Sequence, residues 1–250
     1  MKKIALVTGA SAGLGVEFAR QLSKRGHSLV LAARRKDRLD ELAAEVGNAR
    51  AIAIDLSERD AAARLIADLE AEGETLEVLV NNAGFGLTGR FSEQDPARLR
   101  QMIDLNCGAL TELCRAVAPQ MARRRSGAIL NVASTAAFQP GPGMAVYFAT
   151  KAFVLSLTEA LHEELRSFGV KVSALCPGPT ATEFGEVAGF GKPIPKFAMA
   201  GAKEVVRAGL DGLDANRAVV IPGLLNKLSA QGHRLLPRST LRKIAGSIKF

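Results

Sequence analysis

The sequence predicts an α/β fold in a single domain: a doubly wound parallel sheet with helices on both faces. Three observations predict it. Short apolar, β-branched runs alternate with longer helical patterns along most of the 250 residues. The first run opens into a glycine-rich turn followed by a helix. No linker or internal repeat divides the series, and a hydrophobic content of 48% supplies the core that one domain of this size needs.

The opening Met1-Lys2-Lys3 and its apolar run imitate a secretory signal, but the run ends at once in the glycines of residues 8–15 and reads as a first strand. Strands are expected at 4–7, 29–33, 51–54, 78–80, 128–132, 170–175 and 219–221. Helices are expected between them at 13–25, 36–46, 60–71, 97–124, 145–168 and 203–213; in the fifth, Ala145, Ala149 and Ala152 lead into Leu155 and Leu157. Repeated strand–helix alternation implies right-handed crossovers and a parallel sheet covered on both sides. In such a Rossmann-like sheet, ligands bind beyond the carboxyl ends of the strands. The residues just after each run are therefore the place to look for function.

The formal net charge of +8 is unevenly placed. Residues 215–250 hold no Asp or Glu but seven basic side chains, Arg217, Lys227, Arg234, Arg238, Arg242, Lys243 and Lys249. Taking those seven from the 33 basic residues leaves 26 against 25 acidic ones. Basicity belongs to the tail, which argues against nucleic acid as a partner of the body. Cys107, Cys114 and Cys176 lie in apolar segments with no Cys-x-x-Cys or His pairing, so neither a disulfide framework nor a metal site is expected, and a cytoplasmic location fits. No stretch approaches the roughly 18 apolar residues of a spanning helix.

The first strand is followed by Thr8-Gly9-Ala10-Ser11-Ala12-Gly13-Leu14-Gly15. Glycines there permit a tight turn and close backbone approach, and the next helix offers unpaired N–H groups and a positive dipole end to a pyrophosphate. The alternative is a turn that is merely structural. After the fourth run stands Asn81-Asn82-Ala83-Gly84, after the fifth Ser134, and after the sixth Pro177-Gly178-Pro179-Thr180-Ala181-Thr182. The only tyrosine, Tyr147, precedes Lys151 by four residues, and residues four apart share one helix face. An ammonium beside a phenol lowers its pKa from about 10, which makes Tyr147 a candidate proton donor. The alternative is a Tyr–Lys pair on the surface of an amphipathic helix.

With the glycine turn, Asn-Asn-Ala-Gly, a serine thirteen residues before Tyr-x-x-x-Lys, and the Pro-Gly motif in this order, the chain resembles the short-chain dehydrogenases/reductases over about its first 220 residues. The resemblance implies a catalytic tetrad of Asn106, Ser134, Tyr147 and Lys151, with Asn106 in the long helix after the fourth strand. A carbonyl that accepts hydride at carbon develops negative charge on oxygen and needs a proton donor and an orienting hydrogen bond there. Tyr147 would donate the proton and Ser134 would bond the same oxygen. Lys151 would lower the tyrosine pKa and bond the nicotinamide ribose, and Asn106 would hold a water linking Lys151 to solvent. The cofactor itself brings the hydride.

The dinucleotide would be held by Gly9, Ser11, Gly13, Leu14 and Gly15 of the turn, by Asn82, Ala83 and Gly84, by Tyr147 and Lys151, and by Pro177, Gly178, Thr180 and Thr182. Asp55 resembles the residue that contacts adenine, and Thr182 the threonine near the nicotinamide amide. At the end of the second strand, Ala33-Arg34-Arg35 lacks the acid that binds an NAD ribose, and cations suit a 2′-phosphate. NADP, held there by Arg34 and Arg35, is the expected cofactor; solvated charges at a helix start are the alternative. Ala12 stands where NADP-preferring relatives carry a basic residue.

Residues 183–200 are rich in Gly and Pro and carry Phe184, Phe190, Ile194, Phe197 and Met199. In the family this segment covers the substrate, which suggests an apolar ketone, steroid-like or 3-oxoacyl compound; packing of the segment onto the body or a partner subunit would use the same side chains. Residues 1–222 would form the dinucleotide-binding and catalytic domain, and 223–250 its basic amphipathic extension. In that extension Leu224, Leu225, Leu228, Leu241, Ile244, Ala245 and Ile248 recur at helical spacing, with Pro237-Arg238-Ser239 as break and cap. Packing on the body or in a homodimer or homotetramer explains them; docking on an anionic membrane surface is the alternative. Two rival readings of function remain: a non-catalytic NADPH-sensing regulator on the same fold, and a membrane-bound scaffold resting on the tail alone.

Overall fold

In the computed structural model, which describes residues 3–190, 199–232 and 237–247, seven parallel strands form one sheet in the order β3-β2-β1-β4-β5-β6-β7. They are β1 (Lys3–Thr8), β2 (Ser28–Ala33), β3 (Ala49–Ala53), β4 (Thr75–Asn81), β5 (Gly127–Val132), β6 (Val170–Leu175) and β7 (Val219–Val220). The chain winds outwards from β1 to β3 and then crosses back to β4, so the order reverses between β1 and β4. In doubly wound sheets ligands bind at such a switch point, here beyond Thr8 and Asn81.

The described helices are α1 (Gly13–Lys24), α2 (Lys36–Val46), α3 (Ala61–Ala71), α4 (Pro96–Ile103), α5 (Leu110–Arg124), α6 (Ala145–Arg166), α7 (Phe184–Ala188), α8 (Ala202–Asp214), α9 (Leu224–Gly232) and α10 (Arg238–Ser247). The pleat of β1 shows how the sheet joins two cores. Ile4 and Leu6 pack with α3, α5 and α6, while Ala5 and Val7 pack with α1, α2 and α8. Each fully buried Leu, Ile or Phe, such as Phe18 and Leu22 on α1 or Leu113 on α5, contributes about 1.5–3 kcal/mol.

The expected strands and helices are present, and three places differ. The helix expected over 97–124 is α4 and α5 joined by a π-helical turn, Asp104–Ala109. That wider turn carries Asn106 into the interior, where it is 1% exposed. The Gly- and Pro-rich segment after Thr182, for which no helix is expected, contains one short helix, α7. Beyond β7 the two tail helices divide their apolar residues: Ala230, Leu241 and Ala245 are buried, but Leu224, Leu225 and Leu228 are exposed. Ile194, Phe197, Arg234, Ile248 and Lys249 lie outside the described residues. No described helix is long and apolar enough to cross a membrane.

Candidate active site

The floor of the site is built where β1 and β4 end. The buried Thr8 hydroxyl donates to the Val80 carbonyl (3.3 Å) and accepts from the N–H groups of Asn82 and Ala83 (both 3.0 Å). Asn82 returns the tie: its side-chain amide donates to the carbonyls of Thr8 (2.9 Å) and Gly9 (3.2 Å). The glycine turn is thus fastened to Asn82-Ala83-Gly84. Gly9 has φ +65°, and a Cβ there would lie 2.8 Å from Ala83 Cα, while a Cβ on Gly15 would collide with the Gly9 carbonyl oxygen. Leu14 anchors the turn against the core beneath α1. Helix α1 begins at Gly13 with no side-chain cap and no acid in its first turn, so its leading N–H groups and positive dipole end suit a pyrophosphate.

Beside this turn lies a cluster of cations. Arg35 donates through Nε to Ser11 Oγ (3.3 Å) and through a guanidinium nitrogen to the Ser11 carbonyl (3.1 Å). Arg34 turns away, 65% exposed at its side chain and 3.8 Å from the Asp55 carboxylate. Asp55 accepts from the N–H (2.9 Å) and hydroxyl (2.6 Å) of Ser57 and so shapes the loop after β3. Arg35 also pairs with Glu183 (3.2 Å), and Arg38 reaches the same carboxylate at 2.6 Å. Arg38, and Arg35 after it, hold the Glu183 carboxyl below the usual carboxylate range. Sequence reasoning missed Arg38 and Glu183; the signal for Arg38 was its place one helical turn beyond Arg35.

The four tetrad positions come from three different elements and converge. Asn106 donates to the Phe85 carbonyl (2.9 Å) and to Thr150 Oγ1 (3.1 Å), and its Oδ1 accepts from the Phe85 N–H (3.1 Å). The side chain therefore acts as a brace between the loop after β4 and helix α6. Both side-chain donors are thereby engaged, which leaves its oxygens as the atoms for the water expected there. Thr150, unnoticed in the sequence inside Tyr-x-x-x-Lys, completes the brace by donating to the Tyr147 carbonyl (2.7 Å). Ser134 follows β5; its hydroxyl caps the N–H of Ala136 (3.1 Å) and donates to the Pro177 carbonyl (3.4 Å).

Tyr147 and Lys151 are both buried on α6, and the lysine Nζ donates to the Val132 carbonyl at 2.7 Å and lies 5.8 Å from the tyrosine ring centroid. The expected lowering of the tyrosine pKa is not found. Burial pushes the phenol up to about 12, against which a hydrogen bond with Ser134 pulls down. Burial likewise pushes the lysine down, to about 8, opposed by Cys107 and Cys176. Desolvation outweighs the neighbour in both, because the ammonium is aimed at Val132 rather than at the phenol oxygen.

The segment after β6 lies against the glycine turn. Thr180 Oγ1 donates to the Gly178 carbonyl (2.9 Å), and the Thr182 side chain lies where a Cβ on Gly13 would meet it at 3.1 Å. Asn226 of α9 packs against Gly178, so the tail reaches the site. Above the floor, the Phe184 ring stands 5.3 Å from the Tyr147 ring and 6.2 Å from Phe190. Phe85, Met144 and Phe148 complete an apolar wall around the tyrosine.

The arrangement can hold a dinucleotide along the strand ends and present a phenol and a hydroxyl to a substrate oxygen. Comparison with known proteins agrees. The family model for short chain dehydrogenase matches residues 3–189. The NADP-dependent 3-hydroxy acid dehydrogenase YdfG of Escherichia coli is 40% identical over 190 residues, 74% of this chain and 75% of that one. A short-chain dehydrogenase from Sphingobium yanoikuyae solved in complex with NADPH is 36% identical, with a TM-score of 0.85 over 99% of this chain and 96% of that one. A bulky-bulky ketone specific alcohol dehydrogenase from Comamonas testosteroni is 34% identical, with a TM-score of 0.79 over 94% and 93%. The chain belongs to the short-chain dehydrogenase family of oxidoreductases.

Proposed function

We propose that the protein is an NADP(H)-dependent oxidoreductase that interconverts a bulky apolar ketone and its alcohol, with Tyr147 as the proton donor and acceptor. The observation that carries this reading is the buried Tyr147 phenol, on a helix face shared with Lys151 and walled by Phe85, Met144, Phe148 and Phe184. A phenol raised to about 12 is fully protonated at neutral pH, ready to give a proton to an oxygen that is gaining charge. Ser134 positions that oxygen, and Lys151, held by Val132, orients the helix face that carries the phenol and bonds the ribose. Asn106 and Thr150 keep that face in place from behind. The nicotinamide cofactor, when bound, supplies or takes the hydride.

Support for NADP comes from Arg34 and Arg35 at the end of β2, with no acid at Ala33, and from the NADP named for the Escherichia coli and Sphingobium relatives. Support for a bulky ketone comes from the aromatic wall and from the Comamonas relative. The reading extends to a cytoplasmic homo-oligomer, for which the exposed Leu224, Leu225 and Leu228 are the supporting surface. Oxidation of NADPH, and of NADH in parallel, across a panel of aryl, alicyclic and 3-oxoacyl ketones tests it. Turnover with NADPH preferred supports it; binding of NADPH with no turnover of any ketone would favour a cofactor sensor instead.

A further inference from the structure

We propose that Glu183 stands, in the free protein, in the place of the cofactor's 2′-phosphate, and that arrival of this phosphate displaces it and releases the segment holding Phe184 over Tyr147. The inference rests on the NADP reading above and goes beyond it, to a residue that couples cofactor recognition to the cover of the site. Glu183 places one carboxylate on both Arg35 and Arg38, and Arg35 in turn lies on Ser11 of the glycine turn. An anion already fills the cationic notch beside the turn. A phosphate monoester carries about −1.5 to −2 charges at pH 7 and three acceptor oxygens, against one charge and two oxygens for the carboxylate. The carboxylate pairs are 40–44% exposed at their side chains, where ion pairs are individually weak. The phosphate wins the arginines.

Chain continuity fixes the consequence of the displacement. Thr182 packs on Gly13, Glu183 pairs with the arginines, and Phe184 lies against Tyr147, three consecutive residues touching the pyrophosphate turn, the cation notch and the proton donor. Phe184 opens α7, and its N–H donates to Thr182 Oγ1 (3.3 Å), while Thr88 holds the other end of that helix at the carbonyls of Ala188 and Gly189. A cofactor without the 2′-phosphate leaves Glu183 on its arginines and the ring over the tyrosine. Glu183 is thereby a specificity residue: it makes uncovering of the site depend on the phosphate that distinguishes the two cofactors.

The test uses the full chain and two probes that differ only in that phosphate, adenosine 2′,5′-bisphosphate and adenosine 5′-monophosphate. The chain has no tryptophan, so binding is read by calorimetry, and cover release by hydrogen exchange of the amides of residues 184–190. Glu183→Gln is expected to bind the bisphosphate roughly three- to tenfold more tightly than the wild type, with the monophosphate unchanged. In the wild type the bisphosphate, and not the monophosphate, is expected to speed exchange over 184–190. Unchanged or weaker bisphosphate binding by Glu183→Gln overturns the displacement, and unchanged exchange overturns the release. A wild type that binds both probes equally overturns the NADP reading itself, and the latch with it.

Discussion

The floor and the cover of the site are held by different kinds of interaction. On the floor, Thr8, Asn82, Asn106, Thr150 and Lys151 are all satisfied by short hydrogen bonds to backbone or to one another, mostly out of water. Leaving one such buried group unpaired costs about 1–3 kcal/mol, so each bond restricts the geometry strongly. The cover is tied at its start by Glu183 to two half-exposed arginines and by aromatic contact to Tyr147, and at its far end by Thr88, which donates to the carbonyls of Ala188 and Gly189. Exposed ion pairs are worth about 0.2–1 kcal/mol. The difference teaches that the helix face carrying Tyr147 and Lys151 is set before any ligand arrives, while the start of the cover, at Glu183 and Phe184, is held by the weaker ties.

The largest effect should come from breaking the floor at its tightest point. Gly15→Ala puts a methyl group onto the Gly9 carbonyl oxygen and is expected to weaken NADPH binding by at least about 100-fold, measured by calorimetry. Binding within a few-fold of the wild type would mean that the turn yields, and that the floor is no stiffer than the cover.

Next in size is a stability effect of the opposite sign. With its pKa lowered to about 8 from 10.5, Lys151 destabilises the fold wherever it must carry its proton. Between about pH 8 and 10.5 the unfolded chain binds a proton that the native chain does not, so this penalty is full below about pH 8 and disappears as pH rises through that window. Lys151→Met also loses the bond to Val132, a cost present at both pH values, so the substitution is expected to be more favourable to stability at pH 7 than at pH 10.5 by about 1–3 kcal/mol. Denaturant unfolding at the two pH values checks it; an equal change at both would assign the effect to packing rather than charge.

A smaller effect is expected from the tail. Its charge suggests an appendage separable from catalysis, yet Asn226 packs on Gly178 and α10 buries Leu241 and Ala245. Removing residues 223–250 should weaken NADPH binding several-fold, whereas Leu225→Gln, at an 82% exposed position, should leave NADPH binding within about 0.5 kcal/mol of the wild type but lower the mass seen by light scattering. Truncation without any loss of affinity would return the tail to the status of an appendage, and an unchanged mass by light scattering in Leu225→Gln would take α9 out of the subunit contact.

Much of the floor was legible because its chemistry is local. Gly9, Gly13 and Gly15 announce a turn by spacing alone, and Tyr147 and Lys151 share a helix face whatever surrounds them. The hidden part depends on distant parts of the chain meeting. The π turn that buries Asn106 has no compositional mark, and its use as a brace needs Phe85 and Thr150, 21 and 44 residues away. Glu183 reads as one more charge after a Pro-Gly motif until the fold sets it against arginines 145 and 148 residues before it. The pKa directions were hidden for the same reason, since burial on α6 is a property of the whole packed cluster and not of Tyr-x-x-x-Lys.

The central claim is that the Tyr147 phenol delivers the proton to a ketone oxygen. It is tested most directly by single-turnover oxidation of bound NADPH by a ketone substrate in the wild type and in Tyr147→Phe, with NADPH affinity measured alongside. Tyr147→Phe is expected to bind NADPH within about twofold of the wild type and to turn over at least about 100-fold more slowly. Turnover within a few-fold of the wild type at unchanged NADPH affinity would contradict the claim.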